Sequence, residues 1–171
     1  MKKHLLFPLI LSLFIQFSYS SLVYSQIEIE KVSVDFDSED FQIFRGEIVE
    51  HLGRKAFKGI GLLPDVNFKN GIIEVDMVVS GERSYPGINF RVQSQLDYEH
   101  FYIRPHRAGL YPDALQYTPC TGGIDSWQLF NGDGYTSSVI IPKNEWFHVK
   151  LLIKDSQASV YVNGAEQPLL H

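Results

Sequence analysis

The sequence predicts an all-β protein, an antiparallel sandwich or barrel, and three observations carry that prediction. Apolar residues recur at every second position in run after run. Asn-Gly pairs at 70–71, 131–132 and 163–164, and Pro86-Gly87, punctuate those runs as turns. No stretch after the first 25 residues carries an apolar stripe of helical period.

The elements follow in chain order. In "GIIEVDMVV" (71–79) Ile73, Val75, Met77 and Val79 share one face. In "INFRVQ" (88–93) Ile88, Phe90 and Val92 do, and in "YEHFYIR" (98–104) Phe101 and Ile103. "WFHVKLLI" (146–153) places Phe147, Val149, Leu151 and Ile153 together, and "ASVYV" (158–162) Ala158, Val160 and Val162. Short connections predict that strands 71–79, 88–93 and 98–104 pair as a meander. "VYVNGAEQPLL" reads as a strand, a turn and the start of a return strand. An antiparallel sandwich normally covers that edge with further strands, so the reading expects a domain lacking its C-terminal closing strands.

The first 25 residues read as a signal peptide. Lys2 and Lys3 precede an apolar run from Leu5 to Phe17, and Val23 and Ser25 stand where a signal peptidase reads. The run falls short of the roughly 20 residues a membrane span needs. The expectation is an exported protein, periplasmic or extracellular, with a single domain over 26–171 and no membrane span once the signal is removed. Without Lys2 and Lys3, 13 basic residues face 20 acidic ones, a net charge of −7. An acidic surface without a basic run argues against nucleic acid and anionic membranes as partners. Cys120 is the only cysteine, so no internal disulfide holds the fold.

If the apolar faces of the meander point to a core, the opposite face collects chemistry. It would carry Glu74 and Asp76, then Asn89, Arg91 and Gln93, then Tyr98, His100, Tyr102 and Arg104. Tyrosine rings offer stacking surface, and arginine offers a rigid fork of donors. Sugar recognition asks for that mixture, whereas a merely solvated face is richer in Lys, Thr, Ser and Glu. Pro105 cannot donate to a ladder, so it ends its strand and leaves Arg104 at the tip, with His106 and Arg107 in the loop beyond. The substrate-binding set expected here is Asn89, Arg91, Tyr102, Arg104, His106, Gln116, Trp127 and His148.

Glu74 and Asp76 lie on one face, roughly 6.6–6.8 Å apart along a strand. Glycoside hydrolysis uses two carboxyl groups flanking one bond, which makes this pair the catalytic candidate. A cross-strand ion pair with Arg91 and Arg104 is the commoner fate of such residues. "DFDSED" (35–40) clusters four acidic residues, and calcium, with its about six to eight oxygen ligands, is the one cofactor it would admit. EF-hand spacing is absent, and a solvated turn is the plainer reading. Zinc spacing, a phosphate loop, a dinucleotide motif and G-x-S-x-G are all missing.

"FKNGIIEVDM", "GINFRVQ", "YEHFYIRPHRAGLYPDALQY", "WQLF" and "NEWFHVKLLI…ASVYVNG" together resemble the concanavalin A-like lectin/glucanase superfamily. More narrowly, the chain resembles bacterial exported proteins of the laminin-G-like and 3-keto-disaccharide hydrolase-like group. The likeness runs over about residues 30–168. It implies a jelly-roll sandwich of two curved antiparallel sheets with a carbohydrate-handling concave face. Jelly-roll glucanases of this superfamily carry E-x-D-x-(x)-E on one strand, and here Val78 or Val79 stands at the third carboxylate. Three readings follow: a carbohydrate-binding module, a glycoside hydrolase-like enzyme acting on (3-keto-)disaccharides or polysaccharide, and a structural or adhesion module.

Overall fold

Antiparallel sheets make up residues 32–171, which the computed structural model describes; the expected signal peptide lies outside the described residues. The residues Val34–His171 form one unit. Strands β1 (Gln42–His51) and β2 (Arg54–Leu62) form a hairpin of their own. Next come β3 (Gly71–Met77), β4 (Gly87–Ser94) and β5 (Asp97–Ile103), then a single 3-10 turn at Pro105–Arg107. After it come β6 (Leu115–Thr121), the two-residue strands β7 (Ile124–Asp125) and β8 (Thr136–Ser137), β9 (Phe147–Lys154) and β10 (Gln157–Val162). No α-helix occurs among the described residues.

One sheet runs β10-β9-β3, the other β4-β5-β6-β7 with β8 also on β6. Their apolar faces meet in a shared core. From the three-stranded sheet come Phe147, Val149, Leu151, Ile153, Val160 and Val162. From the five-stranded sheet come Phe90, Phe101, Ile103 and Leu115. Burying each such side chain contributes about 1.5–3 kcal/mol, so this seam holds the two sheets face to face. The period-two reading of β5, β9 and β10 therefore places the correct residues inside.

The expected meander is corrected. Strands β4 and β5 do pair, with Asn89 opposite His100. Strand β3 instead pairs with β9, Glu74 opposite Lys150 and Asp76 opposite His148. Residues 78–86 carry the chain from one sheet to the other, anchored by Val79, which is 6% exposed. An alternating strand of this kind fits either sheet equally well. Core packing chooses between them, and a short connection does not.

A bulge corrects the face assignment of β4. The pairing jumps from Phe90–Glu99 to Ser94–Asp97, and Arg91 has φ 50°. Between those pairs β4 has three residues and β5 has one, so two extra residues break the alternation, and Val92 is 39% exposed instead of inward. Two further features went unread in sequence. The β1–β2 hairpin turns at Leu52-Gly53, with φ 49° and 72°, and a leucine there gives none of the usual Asn-Gly signal. Its paired Gly46 and Gly59 approach so closely that a Cβ on Gly46 would lie 2.2 Å from the Lys58 carbonyl oxygen. At the other end, the return segment reaches Val160 through Leu169 and Leu170 at 2.7 and 3.0 Å.

Candidate functional site

Each sheet has one face on the core, so the two remaining faces point away from each other. The predicted site residues are divided between them. Glu74, Asp76 and His148 lie on the outer face of the three-stranded sheet. Asn89, Tyr102, Arg104, His106 and Gln116 belong with the five-stranded sheet, and Trp127 joins them from the loop before β8. Arg91 belongs to neither face.

The five-stranded face is built on β5. Its alternate residues Tyr98, His100 and Tyr102 stand in a row, with ring centroids 6.1 and 4.9 Å apart. Pairing sets Gln116 beside Tyr102, Thr118 beside His100 and Cys120 beside Tyr98. Gly87 faces Tyr102 on the other flank; a side chain there would bring its Cβ within 2.2 Å of the Phe101 carbonyl oxygen. Tyr85, half-exposed, stands edge-on to both Tyr102 and His106, at 5.9 and 6.0 Å. Its hydroxyl accepts from Arg83 Nε at 3.0 Å.

Arg104 sits at the end of that row and is only 7% exposed. One terminal nitrogen donates to the Tyr102 hydroxyl at 2.8 Å and to Gln116 Oε1 at 3.1 Å. The other donates to the Asp113 carbonyl oxygen at 2.6 Å and reaches its carboxylate at 3.4 Å. Its guanidinium carbon lies 5.0 Å from the Tyr102 ring centre and 5.7 Å from that of Trp127, a cation–π sandwich. Gln116 in turn donates to the carbonyls of Tyr117 and Phe130, which ties down the loop carrying Trp127. Arg104 is therefore a positioning residue that fixes Tyr102, Gln116 and Trp127.

Burial shapes the electrostatics here. It drives the His100 imidazole down to about 4, against a smaller upward pull from Asp125, so the ring is neutral near pH 7. Burial, with help from Cys120 and Asp125, pushes the Tyr98 hydroxyl up to about 12. The Nδ1 atoms of His100 and His106 are both buried without a hydrogen-bond partner among the described residues. Buried polar atoms of that kind are uncommon; the others among the described residues are Ser38 Oγ and Trp146 Nε1.

Arg91 crosses to the core-side edge because of the bulge. It donates to Glu99 Oε1 at 3.0 Å, to the Lys69 carbonyl at 3.0 Å and to the Asp155 carbonyl. Glu99 also accepts from the Tyr117 hydroxyl at 3.2 Å. Arg91 thus fastens the β4 edge to the start of β3 and to the β9–β10 turn.

On the opposite face His148 sits between two carboxylates. Its Nδ1 is 2.9 Å from Asp76 and its Nε2 is 3.4 Å from Glu74. Asp76 also accepts from Arg54 at 2.8 Å, and Arg54 lies over the Trp146 ring at 5.2 Å. The cross-strand partners expected for the carboxylates, Arg91 and Arg104, are replaced by His148 and Arg54. Asp76, followed by Glu74, raises the His148 pKa; His148, followed by Arg54, holds Asp76 below the usual carboxylate value. A raised histidine stabilises the fold fully below its ordinary 6.5 and loses that contribution as pH climbs through the raised value. In NMR titration, His148 is expected to titrate above 6.5, with Asp76→Asn lowering its midpoint more than Glu74→Gln. Because the cluster is half-exposed, His148→Gln should cost at most about 1 kcal/mol, and the cost should fade as pH rises through the raised His148 value. A midpoint unmoved by Asp76→Asn would contradict the pairing.

Elsewhere, Lys55 Nζ lies between the acidic residues of 35–40, 2.5 Å from Asp37 and 3.6 Å from Asp35. No group of three or more His, Cys, Asp or Glu is arranged to hold a metal among the described residues. No helix among them is long and apolar enough to cross a membrane. Sequence reasoning missed Tyr85, Asp113 and Asp125 on the five-stranded face, and Arg54 and Trp146 on the other. Tyr85 directly precedes the Pro86-Gly87 turn, the one signal that could have flagged it. Compared with protein-family models, curated proteins and solved structures, the chain finds no match.

Proposed function

We propose that the protein is an exported carbohydrate-binding module of concanavalin A-like, jelly-roll architecture, and that its site is the outer face of the five-stranded sheet. The observation that carries this reading is the aromatic row Tyr98, His100 and Tyr102, on alternate positions of β5. Tyr98 and His100, partly exposed, offer apolar surface to the C–H faces of sugar rings, and Tyr102, 7% exposed, closes the row as a buried support. Asn89, Tyr85 and Trp127 border them with exposed polar and aromatic groups. Pockets and faces that combine aromatic surface with a few fixed polar groups are where small polar ligands bind.

The hydrolase reading has the Glu74–His148–Asp76 cluster in its favour, since a histidine between carboxylates is a proton-transfer arrangement. Both carboxylates, however, are engaged by His148 and Arg54, and they lie across the core from the aromatic row. A glycan array joined to hydrolysis assays on ordinary and 3-keto disaccharides separates the readings. Binding without turnover is the expected result. Turnover that disappears in Glu74→Gln would establish the enzyme instead. Absence of both binding and turnover would leave the structural or adhesion reading.

A further inference from the structure

Arg83, Arg104 and Arg107 gather at the Tyr102 end of the aromatic row, and two of them keep an open fork. Both terminal nitrogens of Arg104 are taken, by Tyr102, Gln116 and Asp113. Arg107 donates from Nε to Asp113 at 2.7 Å and lies against the Tyr111 ring at 4.2 Å. Arg83 donates from Nε to the Tyr85 hydroxyl at 3.0 Å. Among the described residues the terminal nitrogens of Arg83 and Arg107 have no partner, and no carboxylate, its neighbour Glu82 included, pairs with Arg83. Each guanidinium is held by its inner nitrogen while its outer edge stays free.

The two forks share one neighbourhood. Tyr85, which holds Arg83, meets the ring of His106, next in sequence to Arg107, at 6.0 Å. The Pro86 carbonyl accepts from the Ile103 amide at 2.8 Å, which fastens the Arg83–Tyr85 segment to the end of β5. Asp113 is the carboxylate in contact with Arg104 and Arg107, so one anion meets three cations. Asp125 pairs with Cys120, itself opposite Tyr98, and so belongs to the far end of the row. An oxyanion accepts two parallel N–H bonds from the free edge of a guanidinium, and an edge already oriented loses less freedom in forming them. We propose that the Tyr102 end of this face binds the anionic group of an acidic sugar, a uronate carboxylate or a sulfate ester, through Arg83 and Arg107. The inference rests on the carbohydrate-binding reading above and deepens it.

The test is calorimetric titration of the protein with neutral, uronate-bearing and sulfate-bearing oligosaccharides of matched length. At least one acidic class is expected to bind about tenfold more tightly than the neutral chains, and comparing the two acidic classes shows which oxyanion is held. Its affinity should fall about tenfold between about 50 and about 500 mM salt, while that of neutral chains changes less than about twofold. Arg83→Gln and Arg107→Gln should each weaken acidic chains about five- to tenfold and neutral chains less than about twofold. Neither side chain belongs to the core, so both variants should fold. Acidic chains that bind no more tightly than neutral ones, or whose affinity neither substitution moves, overturn the proposal while leaving sugar binding intact. Binding of no class overturns both.

Discussion

Arg104→Met is expected to destabilise the protein by about 3 kcal/mol in urea unfolding and to abolish glycan binding. The methionine keeps most of the apolar stem, so the loss reports the guanidinium. Four acceptors lose their donor at once: the Tyr102 hydroxyl, Gln116 Oε1, and the carbonyl and carboxylate of Asp113. Asp113 is partly exposed and recovers hydrogen bonds from water. Gln116, at 1% exposure, does not. Leaving a buried polar group unpaired costs about 1–3 kcal/mol, and freeing a charge-assisted bond adds a comparable amount. Binding fails because Tyr102 and Trp127 lose the cation that lies between their rings. Arg104→Lys should recover part of the stability, since an ammonium cannot span both sets of partners. A methionine variant within about 0.5 kcal/mol of the parent would show that the network is ornamental.

Acid should weaken the fold between pH 6.5 and about 4, the window in which His100 is neutral when folded and charged when unfolded. The sign is set by the lowered pKa. The unfolded chain binds more protons in that window, so the contribution is complete above 6.5 and falls as pH drops towards 4. The shift corresponds to about 3 kcal/mol at full development. Other shifted groups act outside the window and cannot imitate it. Asp76 and Asp97, both held below 3.8, act at lower pH, and His148, raised above 6.5, acts higher. His100→Phe keeps a ring between Tyr98 and Tyr102 and removes the titration. Its stability should be flat across the window. A slope that survives in this variant would assign the acid sensitivity to another group.

Much of the core was legible because period-two patterning depends only on local sequence. Phe101, Ile103, Val149, Leu151 and Ile153 fall on alternate positions, and all five are buried. The pairing of β3 was not legible, because its Ile73, Val75 and Met77 would suit either sheet. That one choice decides whether Glu74 and Asp76 stand beside Tyr102 or across the core from it. Arg91 was misplaced for another reason. A bulge inserts no recognisable residue, and a non-glycine residue at φ 50° has no sequence signature. The row Tyr98–His100–Tyr102 was visible as alternation. What Arg104 does there was not, because its partners Asp113 and Gln116 reach it only through the β5–β6 pairing.

Sugars bound on the β5 aromatic row, and not on the carboxylate face, should leave a mark on one face of the protein alone. Chemical-shift mapping, with the tightest glycan from the array titrated into isotope-labelled protein, tests this most directly. Shifts are expected at Tyr85, Asn89, Tyr98, His100, Tyr102 and the Trp127 indole, with Glu74, Asp76 and His148 unmoved. Shifts centred on Glu74, Asp76 and His148, with the β5 row silent, would contradict it.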